Sequence, residues 1–314
     1  MGRYLLTRLG QLVVILFLIS ILTFLLVHLL PGNPVDTMLG PNQTPQNRAE
    51  LLHQLGLNKP LLQQYWIWLD NVLHGNLGQS FLTHQSVTST IANAFPVDFE
   101  LIIFSQIIAF AVAVPLALVA SRRPNHIFDR IASASTFGML AIPAFVIGPI
   151  LALIFAVKIH WFPATGAPSL TAQPLTNIHD MVLPSIALAF GSIAVYFRLL
   201  RGDLISTLQE DFITMAKSKG LSTRYIMVRH ALRPSSFSML ASAGLNIGTL
   251  ITGAFVVEYL FGLNGIGAQI VNSINARDYL EVQGMALVVA VFYVLVNFII
   301  NFLYTVMDPR IARG

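Results

Sequence analysis

The sequence predicts an all-α polytopic membrane protein with six transmembrane helices. Three observations carry this: composition, the length of the charge-free runs, and the absence of two-residue alternation within them. Of 314 residues, 55% are hydrophobic and 10% charged, whereas a soluble domain carries about 25% charged residues. A water-soluble core of this length does not bury so much apolar surface, so the chain falls among multi-span membrane proteins. Six runs lack Asp, Glu, Lys and Arg: Leu9–Val35, Leu101–Ser121, Ile131–Val157, Met181–Phe197, Pro234–Val257 and Val282–Met307. A helix needs about 20 residues to cross the hydrocarbon. All the runs reach that length except Met181–Phe197, which reaches it if Arg198 snorkels. Lipid offers the backbone no partners, so these crossings must be helical. The alternation of barrel strands over about ten residues is absent.

The first run follows only Arg3 and Arg8. It is longer than the apolar part of a signal peptide, and "VHLLPGNP" follows it in place of a small-residue cleavage pattern. Residues 1–35 therefore read as a tail and a retained first span. Residues 36–98 form an outer segment with two helix candidates. Thr44 caps one, with Pro45 at its first position and Gly56 at its end. The second starts at Pro60, runs through "LLQQYWIWLDNVLH" and stops at Gly75. The segment reads as a small helical cap on the outer face, serving either as a packing scaffold or as a partner-docking surface.

Residues 99–307 make the permeating core. Pro115, Pro143, Pro149 and Pro184 are placed to kink spans two to four. Span five carries Gly244 and Gly248, a small-xxx-small pattern that lets helices approach closely, with Asn246 between them. The outer loop Glu258–Glu281 has Gly262, Gly265 and Gly267, but Ile270 stands where a dinucleotide fingerprint needs its third glycine. A tight re-entrant turn and a short helix are expected there. Residues 308–314 are a short tail.

Of the 18 Lys and Arg residues, all but Arg48, Lys59, Lys158 and Arg277 fall on the side of the chain termini. The positive-inside rule puts both termini in the cytoplasm. The +4 net charge is then orientation, with no nucleic-acid partner implied. Tyr65, Trp66, Trp68, Trp161 and Phe162 lie on the outer side, as an interfacial aromatic belt or as ordinary packing.

The longest cytoplasmic loop, about 201–234, contains "EDFITMAKSKGLSTRYIMVRHALRP". Leu204, Leu208, Phe212 and Met215 are expected to share one helical stripe. Gly220 suits the left-handed end of that helix. Ser222 is expected to cap a second helix carrying Arg224, Arg229, His230 and Arg233, with Pro234 bending the chain into span five. On the residues alone, such a basic helix–turn–helix either rests on anionic lipid or docks a partner.

No ionisable residue stands in the middle of a span, which argues against an ion-coupled carrier. The amides Gln106, Asn246, Asn297 and Asn301 are present instead, as interhelical glue or as the wall of a polar pathway. The chain has no Cys, no H-E-x-x-H, no G-x-S-x-G and no G-x-x-x-x-G-K-[ST]. No catalytic, cofactor or metal site is expected. If ATP drives transport, another polypeptide binds the nucleotide.

Several segments together resemble the permeases of binding-protein-dependent ABC importers. In the cytoplasmic loop, Ala216 and Gly220 match that family's signature Ala and Gly. Thr214 and Met215 stand where Glu and Ala are usual, and Pro234 falls one residue late. "LGLNKPLLQQYWIWLDNVLHGNLGQSF", "VEYLFGLNGIGAQIVNSINARDYLEVQG" and "NFIINFLYTVMDPRI" resemble the first permease subunit of dipeptide and oligopeptide importers. The resemblance covers nearly the whole chain. It implies a type I ABC importer permease fold in a bacterial inner membrane. It also implies a second homologous permease, two ATPase subunits that hold ATP and Mg, and an extracytoplasmic solute-binding protein. The implied ATPase-coupling residues are Glu210, Asp211, Ala216, Lys217, Gly220, Leu221 and Arg224. Relatives of this kind carry dipeptides, longer peptides, nickel chelates, glutathione or haem. The rival readings are an ion-coupled secondary transporter and an intramembrane enzyme.

Overall fold

The computed structural model describes residues 2–29, 35, 39, 44–54 and 57–307. The described residues form helices and no β-strand. Five helices among them are long and apolar enough to cross a membrane, or six if one bent pair counts as a single span. The chain divides into two compact units, Met1–Pro96 with Gly265–Gly314, and Val97–Asn264.

In the first unit, α1 (Gly2–Leu29) is the first span. Helix α2 (Pro45–Gln54) begins as expected, with the Asn47 amide donating to Thr44 Oγ1 at 3.2 Å; its expected end at Gly56 lies outside the described residues. Helix α3 (Leu61–Leu73) follows, with Pro60 before it. Gly75 beyond it has φ +79°, the left-handed conformation that ends helices at little cost only with glycine. α3 is anchored on α1. Tyr65 is buried between Phe17 and Phe24, and Trp68 packs on Phe24.

The unit also holds the start of α4 (Val87–Ala120), then α11 (Ile266–Asn275) and α12 (Tyr279–Met307). Val87, Ile91 and Ala94 pack with Ile266 and Met285. Asp278 is buried and caps α12. It accepts from the Glu281 amide at 3.2 Å and from Ser80 Oγ at 2.6 Å.

The second unit holds the remainder of α4, α5 (Ile127–Ala141), α6 (Ala144–Lys158, ending in a π stretch Ala152–Lys158), α7 (Pro174–Asp180) and α8 (Val182–Thr207). Helix α9 (Asp211–Ser218) and α10 (Thr223–Phe261) complete it. Ala109, Ala113 and Ala117 of α4 form a small-residue stripe. Buried with them are Tyr196, Phe197 and Leu200 of α8 and Met239 and Ala243 of α10. Small side chains let helix backbones approach where lipid supplies no hydrophobic drive for association.

The kink expected at Pro143 is a sharp one: α5 and α6 meet there at 105°. Pro143 clashes with a helical conformation in the residue before it, and Ile142 is accordingly extended, at φ −100° and ψ 112°. Pro234, by contrast, does not bend the chain into span five. Thr223–Phe261 passes through it as one helix, and a π stretch (Ile226–Ala231) lies just ahead of the proline. Such wide turns accommodate inserted or clashing groups within a helix.

The turn expected after span five is present at Gly262 (φ +59°), and α11 is the expected short helix.

Candidate functional site: a polar cluster and a cytoplasmic helix

Within the second unit, α4, α8 and α10 bring four polar side chains together. Tyr196 OH donates to Gln106 Oε1 at 2.8 Å. Gln106 Nε2 donates to the Ala243 carbonyl at 3.2 Å. Asn246 Nδ2 lies 2.6 Å from Ser192 Oγ and 3.2 Å from Tyr196 OH, donating to both. The Tyr196 hydroxyl thus accepts from one helix while donating to another. Phe110 stacks on its ring at 5.1 Å. Each such bond is worth about 0.6 kcal/mol in a membrane. The shared hydroxyl makes the three helices one hydrogen-bonded unit.

Of the four sequence-derived amides, this geometry joins Gln106 and Asn246 only. Asn297 is half-buried in the first unit and donates to the Tyr293 carbonyl of its own helix at 2.9 Å. The side chain of Asn301 lies outside the described residues. Gly248 is buried and Gly244 half-buried. Ser192 and Tyr196 were missed by sequence reasoning. Their signal was two polar residues one turn apart in the run Met181–Phe197.

A second constellation missed from sequence is the ion pair of Asp129 and Arg201. Arg201 Nη2 donates to Asp129 Oδ2 at 2.6 Å, and its Nε donates to Oδ1. The Asn125 amide adds a bond to Oδ2 at 2.8 Å. Asp129 is buried, while Arg201 is 25% exposed. The pair ties the first turn of α5 to α8, two turns before α8 ends.

The cytoplasmic helix α9 follows that end. Thr207 closes α8, and Glu210, extended at φ −71° and ψ 150°, starts α9. This break rephases the helix, so the expected stripe Leu204–Leu208–Phe212–Met215 is not one face. Leu204 is buried on α8, but Phe212 and Met215 are exposed. The buried face of α9 is instead Ile213 with Ala216, which share the cluster of Ile226 and Ala231.

Ala216 is one of the coupling residues that the resemblance implies. It is only 5% exposed and packs within its own chain. Glu210, Asp211, Lys217, Gly220, Leu221 and Arg224 are exposed.

The end of α9 is built as the glycine requires. Gly220 has φ +74°. Its amide donates to the Lys217 carbonyl at 2.9 Å, and the Leu221 amide donates to the Ala216 carbonyl at 3.4 Å. These are the paired bonds of a Schellman turn. Ser222 Oγ then accepts from the Tyr225 amide at 3.4 Å, the expected cap of the next helix. Asp211 in the first turn and Lys217 in the last both suit the helix dipole. The result is a short helix with its inner face fixed and Phe212, Met215, Leu221 and Tyr225 presented outward.

Residues 113–313 match the family described as "Binding-protein-dependent transport system inner membrane component", and residues 1–102 match its N-terminal family. The chain belongs to this family. It is similar to the Di/tripeptide transport system permease protein DppB of Pseudomonas aeruginosa (strain UCBPP-PA14), 34% identical over 327 residues, covering 98% of this chain and 97% of the relative. It is also similar to the Dipeptide transport system permease protein DppB of Lactococcus lactis subsp. cremoris (strain MG1363), 34% identical over 312 residues and 99% of each chain. The Glutathione transport system permease protein GsiC of Escherichia coli O6:H1 is 32% identical over 311 residues, again 99% of each.

Membership makes this a multi-pass inner-membrane permease component of an ABC importer. It is non-catalytic, and ATP hydrolysis sits on partner subunits. An ATPase and a solute-binding protein are its general partners. The ion-coupled carrier reading has no support.

Proposed function

We propose that this chain is the first permease subunit of an importer for short peptides or a similar small polar solute. It would form half of a translocation pathway with a second homologous permease, served by two ATPase subunits and an extracytoplasmic solute-binding protein. Both termini would be cytoplasmic. The observation that carries the coupling part is α9, pinned inwardly by Ile213 and Ala216 while Phe212 and Met215 face out. An apolar face on a rigid, short helix suits docking in an apolar groove, and Glu210, Asp211, Lys217 and Arg224 supply a charged rim. Gly220 and Leu221 close the turn that holds this face in register. The peptide assignment is supported by the names of the relatives above.

For the pathway, Gln106 and Asn246 are the proposed wall, with Tyr196 and Ser192 holding their positions. Reconstitution tests the whole reading. With its partner permease, ATPases and binding protein, the chain should take up a labelled dipeptide only when ATP is present. Uptake by the chain alone along an ion gradient would overturn it.

A further inference from the structure

The outer helix α3 has two apolar stripes, and α1 covers only one of them. Tyr65, Trp68 and Val72 form the stripe turned to α1, with Tyr65 OH 2.8 Å from Ser20 Oγ in a hydrogen bond. Leu62, Trp66, Leu69 and Leu73 follow at spacings of four, three and four, which is one helix face. Leu62 is 69% exposed, Trp66 54% and Leu73 77%, while Leu69 is half-buried. Asn71 stands opposite this stripe, and Gln63, Asp70 and His74 lie between the two on the side away from α1, with Ile67 exposed among them, so α3 is apolar, anchored and polar on successive faces around its axis.

The depth of α3 follows from its contacts. Arg8 to His28 spans 20 residues of α1, about 30 Å, the thickness of the hydrocarbon layer. Ser20 therefore stands about 18 Å past Arg8, within the far half of the layer. Trp68 packs on Phe24 at 5.7 Å, and Gln64 Oε1 lies 3.1 Å from His28 Nε2. These ring contacts and hydrogen bonds come from one turn, Gln64–Trp68, the pattern of a helix that crosses α1. The axis of α3 thus sits at the level of Phe24–His28, the outer edge of the hydrocarbon. α1 itself exposes Phe17, Leu18 and Leu22 just below that level, as a lipid-facing surface does.

We infer that α3 is an interfacial helix, lying in the outer leaflet with Leu62, Trp66 and Leu73 in the lipid acyl chains and Gln63 and Asp70 in water. An amphipathic helix of this composition sinks its apolar face to the boundary of headgroups and acyl chains, and an indole favours that level. The inference holds whatever the transported solute.

Because the chain has no Cys, single spin labels test it in the assembled transporter in phospholipid vesicles. Labels replacing Leu62, Trp66 and Leu73 should collide with dissolved oxygen several-fold more than with an aqueous nickel chelate. Labels at Gln63 and Asp70 should show the reverse, so the sign should flip between adjacent residues 62 and 63. Nickel access at both faces would mean a cap standing in water and overturn the inference. Exclusion of both reagents from Leu62, Trp66 and Leu73 would mean that a partner protein covers the stripe, and would overturn it equally. The unaltered chain gives a second reading: a lipid-phase carbene reagent should mark Leu62, Trp66 and Leu73, and absence of label there would reject the lipid contact.

Discussion

Met215 and Ala216 are adjacent in sequence and opposite in burial, which makes a paired substitution to Glu unusually informative. Met215 is 57% exposed. Met215→Glu removes little internal packing, so its effect on stability should stay within about 0.5 kcal/mol. At the proposed ATPase groove it would bury an unpaired carboxylate at the centre of the contact. Loss of a central anchor costs about 2 kcal/mol or more, roughly thirtyfold in affinity.

Ala216 is buried with Ile213, Ile226 and Ala231. Ala216→Glu must first overpack that site, at about 1–3 kcal/mol, and must also desolvate a carboxylate among apolar side chains. It should therefore unfold α9 from its support and lower the melting temperature of the purified chain. Met215→Glu should leave melting unchanged. Both should lose ATPase in co-purification and lose solute-stimulated hydrolysis, by different routes. Normal melting of Ala216→Glu, with docking lost, would show that Ala216 faces the partner and that the inner face is assigned wrongly. Full ATPase recovery with Met215→Glu would reject the outer face as the docking surface.

Further outcomes follow from other contacts. Single Cys residues at Gln173 and Asn275 should react with an impermeant maleimide in intact cells, and those at Asn125 and Ser218 only after permeabilisation; labelling of Ser218 from outside would reverse the orientation. Asp129→Asn should destabilise by about 3 kcal/mol, the low end for a broken buried pair because Arg201 is partly exposed. Arg201→Met added to it should restore part of that loss in thermal melting, and equal loss in both variants would show that the pair is not coupled. Tyr196→Phe leaves Gln106 Oε1 and Asn246 each short of one partner, so about 1–2 kcal/mol of stability should go. A melting temperature unchanged by that substitution would show that water replaces the hydroxyl.

The features legible from sequence were those with a local cause. Thr44 and Ser222 as caps, Gly75 as a helix stop, Gly220 at a left-handed position and a turn near Gly262 depend on backbone geometry within a few residues. Errors arose where one turn altered the phase of the next element. The break at Leu208–Glu210 turned the predicted stripe away from the core, because helical periodicity carries a face only as far as the helix is continuous.

Apolar run lengths determined that this is a helical membrane protein, since hydrocarbon admits only backbones that satisfy themselves. Motif similarity determined the family. Tertiary structure decided what each polar residue meets. Gln106 and Asn246 lie 140 residues apart in sequence, and only the packing of α4, α8 and α10 places both on the hydroxyl of Tyr196. Asp129 and Arg201 are brought together in the same way. It also decided that Ala216 supports α9 from within and that α3 packs on α1 through Tyr65 and Trp68. Such partnerships depend on which helix faces meet, a property of the whole packed unit that no local run of residues encodes.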